Sequence, residues 1–506
     1  SAHARLPDRP AASARSDSRP ERSGYFNRKQ MNYYSTNRRA AEASLKEAVV
    51  RGLAPDRGLY MPGRIERLPE SFFREMPGLS FVQIACRVAE AFFGEDVDAD
   101  ALRRIVTDTL SFDAPVVRVE DRVWSLELFH GPTLAFKDVG GRFMARMLSY
   151  FLGRGGDRVT VLVATSGDTG SAVANGFLDV EGIDVVVLYP KGKVSEIQEK
   201  QFTTLGRNIT ALEIDGTFDD CQRLVKAAFM DRELGERLSL TSANSINVAR
   251  FLPQAFYYFN AYARLREAGL SGPIVVSVPS GNFGNLTAGL FAKRMGLPVK
   301  RFIAANNRND IFYHYLQTGS YEPRPSVATI ANAMDVGDPS NFARILDLYG
   351  RSLEAIRADI SAARYDDGQI CRAIAETLER TGYLLDPHGA CGYLALCEGL
   401  REDETGVFLE TAHPAKFRDR GAGYRPEHRN SGPPRRVHER EEAVGRVTGR
   451  FRGVPRFSDG EVEVSFRRMF RNASVSGRRI LFAVMGKVAS RGGCIFRLGR
   501  LGRRLR

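Results

Sequence analysis

A lysine closes the apolar stretch 128-LFHGPTLAFKD-138, where Lys137 follows Leu134, Ala135 and Phe136 just after a His-Gly-Pro turn. Burying an ammonium is costly unless the charge is neutralised or used. Two readings stand. Lys137 is either a snorkelling lysine at the end of a strand or helix, or an amine whose pKa burial lowers toward the neutral, nucleophilic form.

Three further stretches pack small polar residues where a strand gives way to a helix. In 159-VTVLVATSGDTGSAVANGF-177 the turn Thr165, Ser166, Gly167, Asp168, Thr169 precedes a helix expected to open at Ser171. Free N–H groups at such a junction can grip a carboxylate or phosphate, and a plain N-cap by Asp168 or Thr169 is the alternative. In 274-IVVSVPSGNFGNLTAGLFAKRMG-296, Gly281 and Gly284 let backbone amides approach an oxyanion, with Ser280, Asn282 and Asn285 as side-chain donors. The pattern is neither the dinucleotide fingerprint nor a P-loop, and a phosphate that stays bound, as on a cofactor, remains open. In 240-LTSANSINVARFLPQAFYYF-259, Arg250 falls in the first turn of a helix, where the dipole disfavours a cation. It is either a solvated arginine or one that shares its site with a doubly charged anion.

These junctions need a rigid frame. Short β-branched runs, 159–164, 184–189 and 273–279, alternate with amphipathic helical segments such as 141-GRFMARMLSYFL-152, whose Phe143, Met144, Met147, Leu148 and Phe151 form one apolar face. Continuously apolar strands suit parallel sheets covered on both sides, hence an α/β fold. Two phosphate-type loops, a carboxylate grip and an apolar lysine together suggest a pyridoxal phosphate enzyme acting on a phosphorylated amino acid.

The chain of 506 residues is 43% hydrophobic and has no apolar run long enough to span a membrane. Its six cysteines, Cys86, Cys221, Cys371, Cys391, Cys397 and Cys494, lack paired spacing, so a reducing, cytoplasmic setting without disulfides or a metal site is expected. The net charge of +13 is uneven: residues 1–30 carry +4 and those from Arg418 onward +15, leaving −6 for 31–417. Residues 1–30, rich in Arg, Ser, Ala and Pro, read as a disordered leader ahead of a start at Met31. Residues 418–506, rich in Arg and Gly, read as an atypical and disordered tail.

The segments 33-YYST-36, 58-GLYMP-62, 129-FHGPTLAFKD-138, 165-TSGDTGSA-172, 242-SANSIN-247 with Arg250, 279-PSGNFGN-285 and 411-TAHPAKF-417 resemble, in order, the threonine synthase family. The resemblance covers about 31–417. It implies a fold-type II pyridoxal phosphate enzyme, similar to tryptophan synthase β, with two α/β domains of mostly parallel sheets and an N-terminal subdomain. It divides the chain into that subdomain at 31–110, a large cofactor-binding domain at 111–150 and 255–417, and a small domain at 151–254. It further implies that Lys137 is the Schiff-base lysine and general base. Gly281, Asn282, Phe283, Gly284 and Asn285 would hold the cofactor phosphate, and the Thr411 hydroxyl would face the pyridine nitrogen. Thr165, Ser166, Gly167, Asp168 and Thr169 would take the substrate carboxylate, and Asn247 with Arg250 the substrate phosphate. His130, His413, Asp138 and Lys416 would serve as supports.

The implied reaction turns O-phospho-L-homoserine and water into L-threonine and phosphate, in a monomer or homodimer, with no nucleic acid or membrane partner. The Arg/Gly-rich tail departs from the family, whose members close with a short acidic and apolar stretch, and a shifted reading frame near residue 417 would account for it. A phospho-lyase releasing 2-oxobutyrate is the nearest alternative. A basic protein binding RNA or membrane through its tail is the other, and it predicts strongly salt-dependent binding.

Overall fold

The computed structural model describes residues 30–153 and 158–420. The expectations for the leader, and for the tail beyond Arg420, lie outside the described residues. Among these, the strands in chain order are β1 (Tyr33–Ser35), β2 (Tyr60–Pro62), β3 (Val116–Glu120), β4 (Val123–Glu127), β5 (Val159–Ala164), β6 (Ile183–Pro190), β7 (Ile209–Ile214), β8 (Ser239–Ser242), β9 (Ile274–Pro279), β10 (Val299–Asn306), β11 (Ile360–Arg364) and β12 (Thr405–Glu410).

β1 and β2 pair antiparallel in a small N-terminal sheet. A four-stranded sheet runs β7-β6-β5-β8, with every neighbour parallel. A six-stranded sheet runs β11-β10-β9-β12-β4-β3, parallel except for the β3/β4 pair at its edge. β5, β6, β9 and β12 are buried at every residue, as strands covered by helices on both faces must be.

The amphipathic stripe after Lys137 forms the helix Lys137–Leu152, and Phe143, Met144, Met147 and Leu148 are fully buried. Each such side chain contributes roughly 1.5–3 kcal/mol of hydrophobic burial. The Phe143 ring lies 5.2 Å from Phe93 and 6.0 Å from Phe256, locking this helix against its neighbours. The loops that carry the polar motifs leave the C-terminal ends of β5, β8, β9 and β12, where open α/β sheets present ligand sites. No helix among the described residues is long and apolar enough to cross a membrane.

Candidate active site

A turn folded on its own aspartate sets Lys137. The Asp138 carboxylate accepts the Thr133 N–H at 2.9 Å and the Thr133 hydroxyl at 2.5 Å. The chain then pairs with the exit of β12: Phe136 N–H donates to Thr411 O at 2.9 Å, His413 N–H donates to Leu134 O at 3.0 Å, and Ala135 bridges Ala412. Lys137 thus opens its helix and lines a cavity of about 710 Å³. Its side chain is half-buried. Burial pushes its pKa from 10.5 down to about 8; Asp168 opposes the shift, while Arg250 and Lys416 add to it. Among the described residues it makes no ion pair, so the amine is held ready rather than neutralised.

The glycine loop after β9 forms the next wall. Asn282 Nδ2 donates to Ser245 Oγ at 2.9 Å and its Oδ1 accepts Ser340 N–H at 2.7 Å, while Asn285 Nδ2 donates to Pro279 O at 2.9 Å. The side chains of Asn282 and Asn285 therefore shape the loop. Phe283, at φ 61, packs on Phe312 and ends the turn, and the helix Gly284–Arg294 begins. The N–H groups of Gly281 through Asn285 donate to no other described residue, which leaves a nest of donors at the positive end of an 11-residue helix. These unpaired donors fit a phosphate. A Cβ on Gly281 would lie 2.6 Å from Ala333 O, so only glycine lets the loop sit this close. Gly281→Ala is expected to weaken pyridoxal phosphate binding roughly tenfold or more, the equivalent of about 1.4 kcal/mol, in a titration of the apoenzyme; unchanged affinity would remove the loop from the phosphate site.

The loop after β5 divides in two. Ser166 and Thr169 line the cavity. Thr165, Gly167 and Asp168, expected to grip the substrate, do not line it. Thr165 Oγ1 instead accepts the N–H groups of Gly167 (2.9 Å) and Gly170 (2.7 Å), which folds the turn. Gly167 takes φ 138, a conformation that a side chain would strain, and caps a helix that starts at Asp168 rather than Ser171. Asp168 is buried and paired with Lys416 at 2.6 Å. Burial opposes its ionisation, but Lys416 and Lys137 overcome this and hold its pKa at about 2. A carboxylate spoken for in this way does not bind another carboxylate.

Asn247 is corrected as well. It is fully buried, its Nδ2 donates to Val49 O at 2.8 Å, and its Oδ1 caps the helix Val248–Phe251 through Ala249 N–H at 3.0 Å. The amide is used up in tying the N-terminal helix Leu45–Arg51 to this one, and Asn244 and Ser245 line the cavity in its place. Ser245 Oγ accepts from Asn282 and from Asn341 (2.9 Å each), and its own proton is committed to no described residue. Arg250 does line the cavity. It is 2% exposed, is anchored by Nε to Ala243 O at 3.1 Å, and makes no ion pair among the described residues; burial lowers its pKa to about 10. Thr411 also lines the cavity, at the end of β12.

Sequence reasoning passed over His388. It is buried in the cavity wall, with Nδ1 on Asp386 and Nε2 accepting Ala333 N–H at 3.1 Å. This fixes Ala333 against Gly281. The local signal was present: Asp386 caps the helix Pro387–Gly399 with proline in its first turn, which sets His388 at that helix's start. Asn332, whose Nδ2 donates to Ser166 O at 3.0 Å, was also missed, because the irregular segment between residues 319 and 341 has no periodicity to read.

Residues 107–411 match the family described as pyridoxal-phosphate dependent enzyme, and residues 32–110 match the threonine synthase N terminus. The threonine synthase of Serratia marcescens is 48% identical over 392 residues, covering 77% of this chain and 90% of that protein. That of Escherichia coli is 47% identical over 390 residues, with the same coverage. The crystal structure of threonine synthase from Escherichia coli superposes with a TM-score of 0.73 at 46% identity, over 77% of this chain and 90% of that one. A pyridoxal phosphate-bound threonine synthase from Brucella melitensis superposes equally well, with a TM-score of 0.73 at 39% identity, over 78% and 92% of the two chains.

Proposed function

The chain belongs to the threonine synthase family of pyridoxal phosphate-dependent enzymes, and from that premise we propose how its own residues work on O-phospho-L-homoserine and water to give L-threonine and phosphate. The fold is the fold-type II α/β architecture of that family. The observation that carries the residue assignment is Lys137, an amine without an ion-pair partner that shares one cavity with an unpaired N–H nest and with Arg250.

Pyridoxal phosphate, when bound, supplies an aldehyde for covalent attachment and a ring that withdraws electrons from the substrate carbons. The Lys137 amine is the attachment point. When not engaged with the cofactor, that amine would act as the base at the substrate Cα and Cβ and would deliver a proton at Cγ. The N–H groups of Gly281 to Asn285 would hold the cofactor phosphate. The Thr411 hydroxyl, in the cavity wall, would help hold the cofactor ring and, being neutral, would not enforce protonation of its nitrogen. Ser166 and Thr169 take the substrate carboxylate. Arg250, with Asn244 and Ser245, takes the substrate phosphate by charge-assisted hydrogen bonds. The scattered cysteines fit a cytoplasmic setting, and the acidic body fits a small-molecule partner rather than nucleic acid or lipid.

The test is product analysis. Protein expressed from Met31, given pyridoxal phosphate and O-phospho-L-homoserine, is expected to release threonine and phosphate in equal amounts. Accumulation of 2-oxobutyrate and ammonia instead would make it a phospho-lyase.

A further inference from the structure

Lys137 lines the cavity, and the pair that acts on it electrostatically, Asp168 and Lys416, is buried. Lys416, on the turn Pro414–Arg420, the last element among the described residues, is 1% exposed. Its ammonium donates to Asp168 Oδ1 at 2.6 Å and to Thr133 O at 2.8 Å. Gln198 Nε2 holds the same Oδ1 at 2.9 Å, and Gln201 Nε2 the same Thr133 carbonyl at 3.1 Å. Thr133 belongs to the turn that sets Lys137. Lys416 therefore ties the loop that presents Lys137 to the helix that begins at Asp168. The reaction derived above makes no use of a second buried ammonium, and desolvating one has a cost that its contacts must offset.

We propose that Lys416 is a positioning residue for Lys137: by occupying the Asp168 carboxylate it keeps that carboxylate from capturing the Lys137 ammonium, and so leaves Lys137 available as a free amine. This rests on the reading of Lys137 as the attachment lysine. The charged groups around Lys137 are Asp168 on its helix, Arg250 on the helix Val248–Phe251 and Lys416 on the turn Pro414–Arg420, with Asp138 beside it turned into Thr133. Burial, Arg250 and Lys416 lower the Lys137 pKa, and Asp168 alone raises it.

The signs for two variants are therefore opposite. Lys416→Met removes one downward push and frees Asp168 to turn to Lys137, so the Lys137 pKa rises. Asp168→Asn leaves two like charges facing each other, so it falls.

The experiment follows covalent uptake of pyridoxal phosphate by the apoenzyme, a reaction in which amine and aldehyde join with loss of one water. Absorbance is recorded across pH, and borohydride trapping with peptide mapping identifies the labelled lysine. In the unaltered chain the rate should rise with pH through about 8, as the amine loses its proton. In Lys416→Met the midpoint should move up by about one pH unit, leaving roughly tenfold less free amine at neutral pH; in Asp168→Asn it should move down. A purely structural ion pair would lower the thermal unfolding temperature of both variants without moving either midpoint, and that result would overturn the proposal, as would shifts of the same sign. Should Lys416→Met fail to fold, the direction of Asp168→Asn decides alone. Label on a lysine other than Lys137 would instead overturn the assignment of the site.

Discussion

Lys137→Ala is expected to abolish covalent uptake of pyridoxal phosphate and to lower threonine formation by at least about ten-thousandfold, since proton transfer alone accounts for roughly 10²–10⁴. The alanine variant removes both the attachment point and the base. It should cost little in folding, because Lys137 makes no ion pair among the described residues and its charged form is the one that burial disfavours. Lys137→Arg separates charge from chemistry: it keeps a cation in place and should be equally inactive. The checks are trapping of the cofactor on the chain, product analysis and an unfolding curve. Residual threonine synthesis within tenfold of the parent, in a chain of unchanged stability, would remove Lys137 from the chemistry.

Arg344→Met is expected to destabilise the fold by about 3–5 kcal/mol, read as a lower midpoint of guanidinium unfolding. Arg344 is fully buried and makes no ion pair among the described residues. Its guanidinium lies 4.0 Å above the Phe251 ring. It donates to Tyr60 O (3.0 and 3.2 Å), Ser245 O (2.9 Å), Ile246 O (2.5 Å) and Asn341 Oδ1 (2.6 Å). Removing it leaves backbone carbonyls of the N-terminal sheet and of the Ser245 loop without donors in a dry interior, where each such group costs roughly 1–3 kcal/mol. Burial lowers its pKa to about 9, so the cation persists at neutral pH. Because Asn341 Nδ2 also holds Ser245 Oγ and Asn282 O at 2.9 Å, the variant should bind substrate less tightly even where it folds. A loss below about 1 kcal/mol would mean that water replaces the guanidinium.

The α/β frame was legible because buried parallel strands need continuous apolar runs, and 159–164, 184–189 and 273–279 are such runs. They became β5, β6 and β9 with shifts of a residue or less at their ends. The helix after Lys137 was equally plain, since its period survives any tertiary context. The start of the helix at Asp168 was not. Its N-cap is Gly167 at φ 138, packed so closely on the Gln198 side chain, from a helix some thirty residues on, that a Cβ would meet it at 2.5 Å.

The motif segments each hold residues that line the cavity, and the local pattern could not say which members of each segment do so. In 165–169 two residues face the cavity and the remaining three build the turn; in 242–250 the cavity receives Ser242, Asn244, Ser245, Ile246 and Arg250, while Asn247 faces away into the Leu45–Arg51 helix. Asp168 and Arg250 both read from sequence as anion-site residues, yet Lys416, 248 positions away, neutralises the first, and no carboxylate among the described residues pairs with the second.

What the sequence by itself determined is the chemistry on offer: a lysine among apolar neighbours, glycine loops at strand ends, and alternation that can form only covered parallel sheets. These depend on residue type and local spacing, which act within a few positions along the chain. What only the tertiary structure decided is which of these groups meet, and in what state of charge. The pKa of Lys137, the pairing of Asp168, and the service of Asn247 and Arg344 as internal struts arise from partners tens to hundreds of residues away. Desolvation and Coulomb interaction depend on distance in space, and that distance exists only once the sheets have packed.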